Sequence, residues 1–506
     1  MIKNQLSVIF LFSITSFLSF SIRAQTILSS PKQVKIAGKI RHYNPEHSFN
    51  ITVNRLGLPS GNAAVKIDSA GNFHATFETY VPTDAWVTYK SNFLVLTDPG
   101  DSLYVEFDGQ SNDRPEILKT IKYGGNNAES NRYASIYQQM YYSDPVYTDR
   151  NKNEKAVKEY ETEEYLRYLD TLQSHIDRLY KTFITKYDPD NKSKKWAAFF
   201  GDQKYYDCLA FYPWDHRTAN NMGLSSAWDV PKDFFQKFAN RLPIEPSMLA
   251  SSFSLRSFIW QFSNYVTDQL KGNEPEGVFI NGGRLFRPTK IADSLAIYST
   301  LKYVPDTLLR QFMLTDYFSK EFEQQRISGY EKFEKVIKQY VNLPFLKEPL
   351  HSLYLETKMR IEKPKLYTEA VLKEAGNSSI AELLDSILLN NKNKVIYIDV
   401  WATWCSPCLA EFPDSKQLEQ QMKDRNAAFI YFCTDSKEDQ WKATLAKHQL
   451  GGQHYFLTRK QSAELAKTFG IKGIPFYILI DKNGVIREQG SQLRPQQAKK
   501  KIVDLL

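Results

Sequence analysis

Residues 395–408 read VIYIDVWATWCSPC, an apolar and β-branched run followed by two cysteines that are separated by two residues. The run has the composition of a buried strand, and the residues from 409 to about 423 have the pattern of a helix. Cys405 is therefore expected at a strand-to-helix turn, where unpaired backbone N–H groups and the helix dipole favour a thiolate. We predict that Cys405 is the nucleophile and the more exposed cysteine, and that Cys408 is the resolving thiol.

A zinc site is the alternative interpretation of two cysteines at this spacing. Such a site needs two further ligands, and the sequence contains neither a second C-x-x-C pair nor histidines paired at a metal-binding spacing. The remaining cysteines, Cys208 and Cys433, are isolated in aromatic-rich stretches and are predicted to be small buried side chains. A redox-active pair is therefore favoured over a metal site.

From residue 395 to its C-terminus, the chain resembles the TlpA/ResA-type thioredoxin-like proteins, which are exported thiol–disulfide oxidoreductases of bacteria. The resemblance rests on DVWATWCSPC at 399–408, EFP at 411–413, FGIKGIP at 469–475 and ILID at 478–481. It covers about the last quarter of the chain. It implies an α/β thioredoxin fold in which Cys405 and Cys408 form a redox-active disulfide and no other cofactor is needed.

The resemblance also implies roles for the residues around the cysteine pair. Pro475 is expected in the cis form, packed against the disulfide, with Ile474 offering backbone groups to a bound substrate strand. Trp404 is expected to shield the sulfurs, and Ser406 and Pro407 to complete the substrate-binding surface. An ordinary trans proline in a loop is the alternative for Pro475, since only about 5–6% of X–Pro bonds are cis in folded proteins.

Two acids are candidates for the proton acceptor of the reaction. Asp399 lies six residues before Cys405 on the predicted strand, where burial would raise its pKa and let it take the proton of Cys408. Thioredoxins carry an aspartate at this place, whereas TlpA/ResA-type proteins often use a glutamate three residues past the second cysteine, which is Glu411 here. The alternatives are a polar strand end for Asp399 and a first-turn helix acid for Glu411.

Composition and the N-terminus limit the class of protein. A length of 506 residues suggests about three domains, and the net charge of +8 is spread without Lys/Arg blocks, which disfavours a nucleic-acid partner. Residues 1–24 have a basic start at Lys3, an apolar stretch and a small residue, Ala24, before the predicted cleavage site. They predict export to the periplasm or cell envelope, with an uncleaved membrane anchor as the alternative.

The order of patterns along the chain predicts three domains after the signal. Short alternating runs in 25–110 predict an all-β sandwich or barrel, favoured as a structural module over a carbohydrate- or protein-binding one. A polar linker is expected at 109–125. An irregular all-α domain is expected at 126–375. Its clearest helix carries an apolar stripe from Tyr165 to Phe183. Its aromatic residues are predicted to pack in the core, with a substrate groove as the alternative. The thioredoxin-like catalytic domain is expected at 376–506.

These observations predict an exported thiol–disulfide oxidoreductase that reduces protein disulfides through Cys405 and Cys408. Electrons are expected from an upstream thiol donor, membrane-bound or soluble, and the resemblance makes cytochrome c maturation one candidate role. A thiol peroxidase is an alternative, although the sequence lacks the Pro-x-x-x-Thr-x-x-Cys pattern. The other alternative is a periplasmic binding or scaffold protein in which the redox pair is secondary.

Overall fold

The structure is a computed structural model that describes residues 30–222, 228–231, 233–241, 249, 251–270, 279–281, 284–286 and 292–506. The predicted signal at 1–24 lies outside these residues. The described strands are β1 (Lys32–Arg41), β2 (Asn50–Val53), β3 (Gly61–Asn62), β4 (Ala64–Ile67), β5 (Asn72–Thr79), β6 (Thr83–Tyr89), β7 (Ser91–Thr97), β8 (Ser102–Asp108), β9 (Lys122–Gly125), β10 (Phe279–Asn281), β11 (Arg284–Phe286), β12 (Ala370–Lys373), β13 (Val395–Trp401), β14 (Ala427–Cys433), β15 (Gly452–Phe456), β16 (Phe476–Ile480) and β17 (Ile486–Gly490).

Helices fill most of the space between the two β-rich ends of the chain. The described α-helices are α1 (Arg114–Thr120), α2 (Ala128–Ser143), α3 (Pro145–Thr148), α4 (Arg150–Glu159), α5 (Thr162–Tyr187), α6 (Asn191–Ala219), α7 (Ser252–Asp268), α8 (Ala292–Tyr303), α9 (Thr307–Glu323), α10 (Ser328–Tyr340), α11 (Pro344–Glu362), α12 (Ile380–Asn390), α13 (Ser406–Gln421), α14 (Glu438–His448), α15 (Arg459–Phe469) and α16 (Pro495–Leu505). A 3₁₀ helix spans Phe234–Arg241. None of the described helices has the length and apolar character needed to cross a membrane.

The N-terminal region is a β-sandwich, as the alternating pattern predicts. One sheet has the order β4-β5-β1-β8-β9 and the other the order β3-β2-β6-β7. Alternate residues of β1 are buried, and they share one core with residues from the second sheet, among them Val87 and Phe93. The apolar faces of the two sheets therefore cover each other.

The predicted linker at 109–125 is ordered instead. It forms α1 and then β9, which pairs antiparallel with β8. The helix begins because the side chain of Asp113 accepts a hydrogen bond from the Glu116 backbone N–H at 3.0 Å, and because Pro115 occupies the first turn. These capping residues look like a polar linker in the sequence, which is why the pattern was misleading.

The central region is mainly helical, and α5 buries the predicted stripe, including Tyr165 and Phe183. Pro213 lies inside α6, and the helix continues through it to Ala219. A short hairpin, β10–β11, also lies within the predicted helical range. The edge strand β7 is covered by α2, since the side-chain amides of Asn131 and Gln138 bond to the β7 backbone at 2.8–3.0 Å.

The C-terminal region has a six-stranded sheet in the order β12-β15-β14-β13-β16-β17. Strand β13 is central, and all seven of its residues are buried. One face of the sheet packs against α13, α14 and α16, and the other packs against α12 and α15. This is the predicted thioredoxin-like arrangement of a sheet between two helical layers.

The C-terminal sheet begins earlier in the chain than residue 376. Strand β12 pairs in parallel with β15, so residues 370–373 belong to this sheet and not to the helical region. Strand β12 has only four residues, most of them exposed. So short and exposed an edge strand produces no apolar pattern in the sequence.

Candidate functional site

The cysteine pair lies where the central strand β13 turns into helix α13. Cys405 is the residue that caps this helix, and its Sγ accepts the backbone N–H of Cys408 at 3.2 Å. Pro407 in the first turn has no N–H of its own to satisfy. Cys405 and Cys408 are joined by a disulfide, with their Cα atoms 5.3 Å apart. The strand-to-helix turn therefore places Cys405 at the positive end of the helix dipole.

The disulfide is covered more fully than the sequence suggested. Cys405 is 3% exposed and Cys408 is 1% exposed, so the predicted order of exposure is correct but Cys405 is itself nearly buried. Its neighbours in the chain are exposed: Trp404 retains 48% of its surface, and Ser406 and Pro407 also face solvent. A partner therefore meets these three residues before it reaches the sulfur of Cys405.

The loop after β14 forms hydrogen bonds with the two residues that precede Cys405. The indole N–H of Trp404 donates to the Asp435 carbonyl at 2.9 Å. The backbone N–H of Thr403 donates to Ser436 Oγ at 3.0 Å, and that hydroxyl donates to the Thr434 carbonyl at 2.8 Å. No local sequence pattern points to Asp435 or Ser436, because they lie more than 30 residues from the residues they bind.

Asp399 lies in the middle of the buried strand β13, six residues before Cys405. It is buried, and neither carboxyl oxygen has a hydrogen-bond partner among the described residues. Burial raises the pKa of this carboxyl well above its usual value, and the nearby acids Glu411 and Glu419 add to the effect. The polar-strand-end alternative is therefore wrong, because Asp399 lies away from solvent, where burial makes its ionised form a stronger proton acceptor.

Glu411 lies one turn beyond Cys408 on α13 and is largely buried. Its carboxylate forms an ion pair with the guanidinium of Arg494, which precedes α16. Its negative charge raises the pKa of Asp399. No sequence signal pointed to Arg494, since it is 83 residues from Glu411.

A third acid, Glu419, lies two turns further along α13. It accepts hydrogen bonds from the hydroxyl of Tyr431 and from the Gly451 backbone N–H at 3.0 Å. Burial raises its pKa to about 7. Tyr431 is the residue opposite Asp399 in the β13–β14 register, so Glu419 extends the group of buried acids away from the disulfide.

Pro475 lies between α15 and β16, and the Ile474–Pro475 peptide bond is cis. Pro475 is buried, and the half-buried Ile474 packs against the hydrophobic cluster that contains both cysteines. The fold therefore brings Ile474, which is distant in sequence, to the same hydrophobic cluster as the cysteine pair. The alternative of an ordinary trans proline is wrong.

The other two cysteines are buried and unpaired, as predicted. Burial raises the pKa of the Cys208 thiol to about 11 and that of Cys433 to about 12. Both therefore stay protonated at neutral pH and are poor nucleophiles.

Comparison with known proteins agrees with this geometry. A family model described as thioredoxin-like matches residues 393–486. Thiol-disulfide oxidoreductase ResA of Bacillus thuringiensis subsp. konkukian is 30% identical over 128 residues, which are 24% of this chain and 72% of that protein. Thiol:disulfide interchange protein DsbE of Escherichia coli K12 is 31% identical over 115 residues, 22% of this chain and 59% of that protein.

Among solved structures, the chain is similar to a putative thiol-disulfide oxidoreductase from Bacteroides vulgatus. The two are 32% identical, the match covers 24% of this chain and 83% of that one, and the TM-score is 0.22. The cysteine pair at the helix N-terminus, the cis proline and the ResA match over most of that relative together identify the C-terminal domain. Through this domain the chain belongs to the ResA-type thioredoxin-like proteins and is a thiol–disulfide oxidoreductase.

Proposed function

We propose that this protein reduces disulfide bonds of other exported proteins, with Cys405 as the attacking thiolate. The observation that carries the proposal is the disulfide between Cys405 and Cys408 at the N-terminus of α13, which follows the strand that bears the buried carboxyl of Asp399. The direction, towards reduction of the substrate, rests on the resemblance to ResA-type proteins. Export rests on the signal-like sequence of residues 1–24.

The reaction begins with the reduced enzyme. The Cys405 thiolate attacks one sulfur of the substrate disulfide, that S–S bond breaks, and the second substrate sulfur leaves as a thiolate. Cys408 then gives its proton to Asp399 and attacks Cys405 Sγ. The mixed disulfide breaks, the substrate leaves with two electrons gained, and the enzyme keeps the Cys405–Cys408 disulfide.

Asp399 is proposed as the proton acceptor rather than Glu411. Its two oxygens have no competing hydrogen-bond donor among the described residues, whereas the carboxylate of Glu411 is held by Arg494. The raised pKa of Asp399 brings it closer to that of a thiol, which makes the transfer from Cys408 less unfavourable. Glu411 then acts through Asp399, by raising that pKa.

The substrate surface is proposed to be the exposed rim of the disulfide. We assign Trp404, Ser406 and Pro407 to this surface because they are exposed beside Cys405. We also assign Ile474, before the cis bond to Pro475, because it packs against the cluster that contains the cysteines. The cysteine pair supplies all the redox chemistry, so no further cofactor is needed, and an upstream thiol donor, proposed to be membrane-bound, returns the enzyme to its reduced form.

Insulin reduction and the equilibrium redox potential test the proposal. We expect the full-length protein to speed insulin reduction by dithiothreitol, with a potential nearer about −270 mV than about −120 mV. Cys405→Ser should abolish the activity, and Cys408→Ser should accumulate a mixed disulfide with the substrate. The matched controls Cys208→Ala and Cys433→Ala should retain activity. A potential at the oxidising end would refute the direction, and an active Cys405→Ser variant would refute the site.

A further inference from the structure

A cavity of about 350 Å³ lies between the β-sandwich and helices α7 and α9, in the two domains that the redox chemistry does not use. Its volume is within the range of small-molecule sites, about 300–1,000 Å³. A second cavity of about 170 Å³ adjoins it and shares Trp260, Asp316 and Lys320. The two cavities therefore form one groove along the face of α7.

The side chains that α7 directs into this groove are unusual for a helix packed inside a protein. Phe253, Arg256, Ser257 and Trp260 line the larger cavity, and their spacing of three, one and three residues places them on one helix face. Such a face is normally apolar where it meets other elements. Here it combines two aromatic rings with a guanidinium and a hydroxyl.

Helix α9 also contributes charged side chains to the groove. Asp316 and Lys320, one turn apart, line both cavities and form an ion pair with each other. Arg256 on α7 donates to the hydroxyl of Ser60 on the sandwich side. Two basic groups, Arg256 and Lys320, and one acidic group, Asp316, are therefore held in place along the rim. This small basic excess, partly neutralised by the ion pair, does not select a strongly charged ligand.

The aromatic rings of the groove are fixed by neighbouring rings. Trp86 of β6 lies edge-on to Phe253, with ring centroids 4.9 Å apart. Trp260 packs against Phe211 of α6 at 5.2 Å and is nevertheless 38% exposed. Because exposing a large indole costs free energy, a ring held rigidly in this way is suited to cover a ligand.

We propose that this groove binds a saccharide. A pyranose ring has apolar C–H faces, which stack on indole rings, and a rim of hydroxyls, which pair with planar polar groups. Trp86 and Trp260 supply the stacking surfaces. Asp316 accepts hydrogen bonds from the hydroxyls, while Arg256 donates to them. A wholly apolar ligand would displace water from these polar groups without replacing the hydrogen bonds of that water. The proposal is independent of the reductase function.

An array of defined oligosaccharides, probed with the full-length protein, tests the proposal, followed by calorimetric titration with the oligosaccharide that gives the strongest signal. We expect binding with a Kd below about 1 mM. Trp260→Ala should weaken it at least about tenfold, and Asp316→Asn should weaken it as well. Both variants should keep the circular dichroism spectrum and the thermal unfolding midpoint of the wild type, which shows that the chain still folds.

Trp214→Ala is the matched control, because Trp214 is a comparably exposed tryptophan, at 47%, on α6 and does not line the cavity. It should bind the same oligosaccharide as tightly as the wild type. The proposal is overturned if no oligosaccharide of the array binds, or if one binds Trp260→Ala and Asp316→Asn as tightly as the wild type. If Trp260→Ala fails to fold, the oligosaccharide affinity of Asp316→Asn relative to the wild type tests the proposal by itself.

Discussion

Replacing Glu419 by glutamine is expected to stabilise the C-terminal domain at high pH and to leave its stability unchanged at low pH. Burial raises the pKa of Glu419 from 4.5 to about 7, so ionising this side chain is less favourable in the folded state than in the unfolded chain. The glutamine amide resembles the protonated acid in size and hydrogen bonding. It therefore removes the ionisation and leaves the packing in place.

The size and sign of the effect follow from the pKa difference. Each unit is worth about 1.4 kcal/mol, so the ionised Glu419 costs the folded wild type about 3 kcal/mol. The folded pKa lies above the unfolded one, so this penalty is absent below about pH 4.5, grows as the pH rises and is complete above about pH 7. Glu419→Gln should thus match the wild type at about pH 4.5 and exceed it by about 3 kcal/mol at about pH 8.

Thiol labelling of Cys433 can measure this in the full-length protein. Cys433 is buried in β14 of the same domain, and a Cys208→Ala background leaves it as the free thiol of the oxidised chain. A short labelling pulse at a common pH, after equilibration in urea at each pH, reports the fraction of chains in which this domain has unfolded. The midpoints then yield the free energy of unfolding for each variant.

Glu438→Gln is the matched control, since Glu438 is an exposed acid of α14 in an ion pair with Lys442. It should change the free energy of unfolding by less than about 0.5 kcal/mol at either pH. Our reasoning on the buried acids is refuted if Glu419→Gln shows no pH-dependent gain, or a gain that appears at low pH and disappears at high pH.

Two further predictions concern the proton acceptor. Asp399→Asn should slow release of the second thiol from a mixed disulfide on Cys405 by about 10²–10⁴-fold, while alkylation of Cys405 stays near the wild-type rate. Stopped-flow release of thionitrobenzoate measures the release rate. An unchanged release rate would exclude Asp399 as the proton acceptor. Arg494→Gln should move the pH midpoint of this release upwards, because an unpaired Glu411 raises the pKa of Asp399 further, whereas Glu411→Gln should move it downwards. Rapid-mixing pH profiles of both variants test this, and midpoints moving the same way would contradict it.

Much of the site could be predicted because its parts are local in the sequence. The strand, the two cysteines and the start of α13 occupy residues 395–408, and apolar character, cysteine spacing and the helix start can all be recognised within such a stretch. The cis bond before Pro475 was predicted from a second short motif. The domain edges were predicted less well, because α1, β9 and β12 depend on caps and on strand partners elsewhere in the chain.

The sequence by itself determined that this protein has a β-rich start, a helical middle and a thioredoxin-like end with a redox-active cysteine pair, since each depends on patterns a few residues long. The three-dimensional structure was needed to show which acid lacks a hydrogen-bond partner among the described residues, which acid pairs with Arg494, and how far Cys405 is covered. It also decided that Trp86, Trp260 and Asp316 line one groove. These properties depend on burial and on contacts between distant residues, and neither is encoded in a local pattern.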